Sequence, residues 1–325
     1  MISRVGDRIS NFRPKGLHVD SASSVIPHIG QSRLFALLSA SALLCAACKK
    51  AATTSPAQTM SCTPSGSSNG QPITDPNGPY FHQTVIAQTS NGLTLTNAHQ
   101  VIDHASVPDG VWRADGTVLV YYVNGAAAAT WVARIVADTA QIIGPISVDG
   151  VPSPNAIVDP DVQTVGTKVR MFYLSSFAAP VGTPRAMCSA DSDDGVNFTT
   201  RGAAFVWTTA EQFTDPSVIP LADGSWLMAI SLGQQTVIAR SADGLTFTRE
   251  STLSFGGVPE LAIAPDGAAR LYVCSGGIVA YRSTDGGHAW SREQTVVGPG
   301  FNGHNIVCDP SLVAGAGTFV FKTGG

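Results

Sequence analysis

Charge is scarce in this chain. Asp, Glu, Lys and Arg make up 13% of its 325 residues, and the formal net charge is -4. With no basic excess there is no field to hold phosphates, which excludes nucleic acid as a partner. Long apolar runs are equally rare, and the one near the N-terminus is too short to span a bilayer. No zinc-ligand spacing, phosphate-binding loop or Ser/His/Asp arrangement stands out. What the chain does have is 44% hydrophobic residues, enough for a sizeable core, with 33 glycines and 20 prolines spread along its length. Many short elements joined by turns are the expectation, which is an all-β signature.

The apolar run LFALLSASALLCAAC ends in small residues at Cys48 and has signal-peptide length. LCAAC resembles the lipobox of bacterial lipoproteins, although Cys45 stands where leucine is usual. That resemblance implies cleavage before Cys48, lipidation of its thiol and a membrane-anchored protein of the cell envelope, facing the periplasm or exterior. Plain secretory cleavage near Ala47 is the other reading. Residues 1–48 are thus expected to be leader and signal peptide. Residues 49–78, rich in Ser, Thr, Pro, Gly and Asn, read as a flexible linker. The globular part, 79–325, holds Cys188, Cys274 and Cys308 in strand-like runs. They read as buried free thiols; an exported protein also admits a disulfide, whose pairing spacing does not reveal.

Two repeats organise the globular part. QTVIAQTSNGLTLT at 83–96 returns as QTVIARSADGLTFT at 235–248. Segments aligned on Pro108, Pro160, Pro216, Pro259 and Pro310 recur at steps of 52, 56, 43 and 51 residues. Each holds a strand, a turn with Asp-Gly or Gly, and a second apolar strand, and in most units another hairpin follows. A double hairpin at this period is what a β-propeller blade requires. The second hairpins carry SDDGVNF, SADGLTF and STDGGHAW turns, which resemble the Asp-boxes of sialidase-like propellers. The fifth unit ends at Gly325 after one hairpin, and 83–96 matches the missing half. The expectation is therefore a five-bladed β-propeller whose last blade is closed by N- and C-terminal strands together, a monomer with no open sheet edge at its ends.

Proline inside a strand is tolerated at an edge, so the five prolines mark the innermost strands. Before them stand Val107, Asp159, Asp215, Val258 and Asp309; after them stand Asp109, Asp161, Ser217, Glu260 and Ser311. Six of these ten are carboxylates in a chain with 23 acidic residues, which predicts an acidic ring around one opening. Paired carboxylates are the equipment of glycosidic bond cleavage. The competing reading is that these aspartates bind backbone amides at the strand start. His104 and His304, with His99, precede inner strands and could face the same mouth. Trp207, Phe213 and Trp226 are candidate sugar-stacking rings, or blade packing.

The pattern over about residues 80–325 resembles the five-bladed propeller glycoside hydrolases, the clan of arabinanases, β-xylosidases, levansucrases and invertases. The resemblance implies Asp159 as base or nucleophile, Asp215 as orienting residue and Glu260 as general acid. Asp109, Asp161, Asp309, His104 and His304 would then contact substrate. Two features depart from the clan: Glu260 follows its proline rather than preceding it, and Asp159 falls in the second blade. No metal ligands are assigned and no cofactor is required, though a central ion such as calcium is compatible with the fold. The resulting expectation is an exported, lipid-anchored glycoside hydrolase with a glycan substrate. The alternatives are a non-catalytic glycan- or protein-binding propeller and a sialidase-like exo-glycosidase.

Overall fold

The computed structural model describes Cys62, Pro72 and residues 75–152, 157–175, 185–208 and 210–325. Cys48, the leader and most of the 49–78 segment lie outside the described residues. Five sheets, each built on four antiparallel strands, surround one axis. Their innermost strands are Ala105–Trp112, Ile157–Val165, Thr214–Pro220, Pro259–Ile263 and Ile306–Val313, for blades 1 to 5. All five carry the prolines, as expected of strands with one unpaired edge.

Blade 5 is built from both chain ends. Its order from the axis outward is Ile306–Val313, Thr318–Gly324, His82–Gln88 and Thr96–Asp103. Gln83 pairs with Thr323 and Gln88 with Thr318 in unbroken register, so the termini close the ring by backbone hydrogen bonds. Blade 2 is widened at its outer edge by the short strands Ser147–Val148 and Val151–Pro152, the first of which pairs in parallel with Asn197–Trp207.

The core is not one mass but a set of apolar seams between neighbouring blades. Tyr121, Val162, Met171 and Tyr173 fill the seam between blades 1 and 2. Phe172, Phe205, Met228 and Phe247 fill the next. The outer-hairpin turns cap these seams. In blade 2, Ser192 Oγ accepts from Gly195 N at 2.8 Å and donates to Asp194 Oδ1, which also accepts from Val196 N. Ser241/Asp243 and Ser283/Asp285 repeat the arrangement. In blade 5, Thr89 and Asn91 substitute for Ser and Asp: Gly92 N donates to Thr89 Oγ1 and Leu93 N to Asn91 Oδ1. Each turn then offers a carbonyl to the preceding blade. Gly195 O accepts from Tyr121 and Gly92 O from Tyr272, while Gly244 O and Gly286 O accept from Arg170 and Arg240.

The cysteines correct the free-thiol expectation. Cys62 is bonded to Cys188 and Cys274 to Cys308. Cys62 lies in the polar segment ahead of the blades, and it supplies the fourth thiol that the blades lack. It is 3% exposed, and its carbonyl accepts from Tyr173 Oη at 2.7 Å, so this point of the chain is part of the seam between blades 1 and 2. The Cys274–Cys308 bond joins blades 4 and 5. Trp207 and Phe213 pack edge to face within the seam between blades 2 and 3, and Trp226 lies beneath the Gly244 turn. These three rings serve packing. Because Cys62–Cys188 closes a loop with a sequence separation of 126, a Cys62→Ala/Cys188→Ala variant is expected to lose about 2–5 kcal/mol in guanidinium unfolding. An unchanged midpoint would contradict the bond.

Candidate functional site

The residues on either side of the five prolines converge on a narrow axial channel, lined by Asp109, Asp159, Asp161, Asp215, Glu260 and Asp309 together with the prolines, Val107 and Val258. The backbone explains how both neighbours of each proline reach the axis. Val107, Asp159, Asp215 and Asp309 have φ between 48° and 51°, and in all four blades the pairing register slips at this point. A left-handed residue at a bulge turns the strand as it enters the sheet. Blade 4 does this differently, with Gly257 at φ 133° and its Cα set against Cys274 O, where a Cβ would come within 2.2 Å. The acids form two tiers.

In the tier after the prolines, each side chain accepts a hydrogen bond from a backbone N–H of the next blade. Asp109 accepts from Val162 N, Asp161 from Val218 N at 3.2 Å and Ser217 from Leu261 N at 2.8 Å. Glu260 accepts from Leu312 N at 3.2 Å, and Ser311 closes the circle on Gly110 N at 3.0 Å. Ser217 Oγ also donates to Glu260 Oε2 at 2.8 Å. Asp109, Asp161 and Glu260 are 6%, 2% and 5% exposed. Burial pushes Asp109 up to about 7, against hydrogen bonds from Ser311 and Val162 that hold it down. Burial and then mutual repulsion push Asp161 and Glu260 well above the carboxylate range. The amide-binding reading of these acids is thus met in this tier.

The tier before the prolines holds Asp159, Asp215 and Asp309. Asp159 Oδ2 accepts from Asp215 N at 3.2 Å, and Asp309 Oδ2 from Val107 N at 3.1 Å. Asp159 and Asp215 are partly exposed. Burial, opposed by the hydrogen bond from Asp215 N, raises Asp159 to about 6. Burial and the charges of Asp159 and Asp309 raise Asp215 well above its ordinary value. Lys322, from the second strand of blade 5, lies 2.6 Å from Asp309 and opposes both shifts. Beside it, His82 shares a hydrogen bond with Ser106 Oγ at 2.9 Å, and burial lowers its pKa to about 4, so the ring is neutral at neutral pH.

The expected catalytic trio is therefore divided. Asp159 and Asp215 belong to the tier before the prolines, the outer tier, and Glu260 belongs with Asp109 and Asp161 in the tier after them, the inner tier. Its position after the proline, already odd in the sequence, is what sends it there. Of the expected substrate contacts, Asp309 is bound to Lys322. His104 stacks on Tyr80 at 4.0 Å with Nδ1 on the Tyr80 carbonyl, and His304 caps the short helical turn Phe301–Gly303. His99 is exposed on the outer strand, hydrogen-bonded to the carbonyls of Asn97 and Asp138. Lys322 and His82 carry no motif in the sequence. Lys322 reaches Asp309 across the C-terminal hairpin, and His82 joins them once the N-terminal strand pairs with that hairpin.

No family model matches the chain, and no curated protein matches it. Solved structures do. A thermostable family-43 glycoside hydrolase superposes with a TM-score of 0.50 at 14% identity, over 67% of this chain and 83% of that one. An α-L-arabinofuranosidase from Clostridium thermocellum gives 0.48 at 15% identity, over 64% and 77%. A family-117 glycoside hydrolase from Zobellia galactanivorans gives 0.47 at 13%, over 69% and 78%. In two further structures, from Bifidobacterium bifidum and Bacteroides thetaiotaomicron, the match spans 56% and 54% of those chains, about half their length.

The circle of inter-blade bonds has a direct test. Ser311→Ala leaves the partly buried Gly110 N–H without its acceptor and is expected to cost about 1–3 kcal/mol in urea unfolding. A loss near zero would mean the circle contributes nothing to closure. At these identities the likeness is one of fold: the chain is a five-bladed β-propeller of the architecture found in a thermostable family-43 glycoside hydrolase.

Proposed function

We propose that the protein is a glycoside hydrolase working at the mouth of the axial channel. One observation carries the reading: Asp159 and Asp215, from adjacent blades, line one opening, and the surroundings of both hold them above the ordinary carboxylate range. Burial and the charge of Asp309 raise both; the charge of Asp159 adds to this at Asp215, whereas the hydrogen bond from Asp215 N holds Asp159 down. Two carboxyl groups whose environments separate their protonation states are what acid/base cleavage needs. In this proposal Asp215 holds the proton and delivers it to the leaving oxygen, while Asp159 acts as base or nucleophile. Glu260, enclosed by Ser217 and Leu312, tunes the axis rather than donating. This departs from the roles the clan resemblance implies. The glycoside hydrolases of like fold support the assignment by analogy alone.

Export and a lipid anchor at Cys48 complete the proposal, with a surface or extracellular glycan as substrate. The sialidase variant is disfavoured, since the described residues lining the channel include no arginine to hold a substrate carboxylate. A second reading, a propeller that binds a glycan or protein without cutting it, draws support from the amide-binding role of the inner acids.

Release of reducing ends from a panel of plant and microbial glycans separates the two. Asp159→Asn and Asp215→Asn are each expected to lower kcat by about 10²-fold or more with folding intact. Binding of one glycan equally by the wild type and both variants, with no cleavage, would overturn the hydrolase. The pH profile adds a signed test. A general acid fails as pH rises through its pKa, so the alkaline limb should lie above the usual carboxylate range. Lys322 lowers the pKa of Asp215, and Lys322→Met should therefore move that limb to higher pH. A limb that stays or moves down would contradict Asp215 as the acid.

A further inference from the structure

The outer tier has a linking pattern of its own, and blade 4 breaks it. Val107 N, the amide before the proline of blade 1, donates to Asp309 Oδ2 of blade 5, and Asp215 N of blade 3 donates to Asp159 Oδ2 of blade 2. Asp309 N has the same need, but the equivalent residue of blade 4 is Val258, whose side chain has no acceptor. Cys274 Sγ takes that amide instead, at 3.2 Å. This sulfur is bonded to Cys308, the residue immediately before Asp309. Cys308 lies opposite Lys322 in the C-terminal hairpin, and the register slips directly after it, so the disulfide sits at the root of the bulge that carries Asp309 at φ 48°. The backbone of Cys274 is tied to the mouth as well. Its N–H donates to Val258 O at 3.3 Å, and its carbonyl packs on Gly257, where a Cβ would come within 2.2 Å.

We infer that the Cys274–Cys308 disulfide is a positioning element of the mouth, holding Asp309 against Lys322 and in place beside Asp159 and Asp215. A bond that merely tied blades 4 and 5 together could cross anywhere along them; this one also sets a sulfur on the amide of Asp309 itself. A non-glycine residue at positive φ persists where its surroundings over-determine it. The disulfide supplies two such restraints, one covalent at Cys308 and one by hydrogen bond at Asp309. The charged and titratable groups facing Asp159 and Asp215 are each other, Asp309 and Lys322; His82 lies beside the latter two, and Asp109, Asp161 and Glu260 line the same channel. Releasing Asp309 withdraws a negative charge that raises both acids and frees Lys322, which lowers both. Both effects move the acids to lower pH, the reverse of what Lys322→Met should do. The inference rests on the hydrolase reading for its consequence on rate, and not for the titration of the two acids.

The test compares the full wild-type chain with Cys274→Ser/Cys308→Ser, both carrying carbon-13 at the aspartate carboxyls, and follows Asp159 and Asp215 by NMR as pH is varied, with Asn variants for assignment. In the double variant both titrations are expected to move to lower pH, and reducing-end release to lose kcat by about tenfold or more with KM little changed. The Cys62→Ala/Cys188→Ala chain, which lacks the bond in the seam between blades 1 and 2, should leave both titrations where they are; a role in stability alone would leave them unmoved in either case. Should the Cys274→Ser/Cys308→Ser chain fail to fold, the Cys62→Ala/Cys188→Ala chain is reduced with dithiothreitol. Two electrons and two protons then pass to Cys274 and Cys308, giving two thiols and the cyclic disulfide of the reagent. The same downward movement, reversed on reoxidation, supports the inference. Titrations that stay or move upward in a folded chain without this bond would overturn it, as would loss of the fold by both routes, which assigns the bond to stability. A wild type that cuts no glycan ends the hydrolase reading and leaves the titrations to decide this one.

Discussion

Ring closure at the axis rests on one repeated interaction, a side-chain acceptor after each proline taking a backbone N–H from the next blade. Proline makes this possible by leaving the inner edge open, with neither a neighbouring strand nor its own donor at that point. The exposed edge amides of the following residues then need acceptors, and Asp109, Asp161, Ser217, Glu260 and Ser311 supply them in turn. Five links close a circle with no free end. The seam packing and the outer turns, which dock on the preceding blade through Tyr121, Arg170, Arg240 and Tyr272, all presuppose that closure.

That constraint also organises the chemistry. With the inner tier committed to amides, the carboxyls proposed to act on substrate stand one step outward, on the left-handed residues before the prolines. Asp159 and Asp215 occupy that step. Lys322 neutralises Asp309 there, leaving the other two to compete for protons. The two tiers are therefore three acids with a cation and three acids without one. This difference, rather than the total count of carboxylates, sets the candidate catalytic mouth apart from the amide-bound inner tier.

Much of the scaffold was legible in the residues. The duplicated QTVIA segments and the proline spacing specify the double hairpin and its period, and they imply that Gln83 must pair with the C-terminal strand, as it does with Thr323. The acids beside the prolines were legible as axial. Their division into tiers was not, because an ideal extended strand places both neighbours of the proline on one face, whereas the bulge offsets them. Thr89 and Asn91 escaped the turn pattern since Asn has one acceptor oxygen yet uses it in the same way. Cys62 looked like part of a tether; a disulfide partner 126 positions away leaves no trace in local composition.

By itself the sequence determined the blade count, the composite fifth blade and the identity of the inner strands, since these follow from periodicity and from the few places proline tolerates. Tertiary structure alone decided which acids share a charge environment, that Lys322 and His82 join them, and how the cysteines pair. The physical reason is that hydrogen bonding within a hairpin is encoded by neighbours along the chain. Electrostatic coupling falls with distance in space, and most of the contacts that couple the acids run between blades, joining residues about fifty to two hundred positions apart.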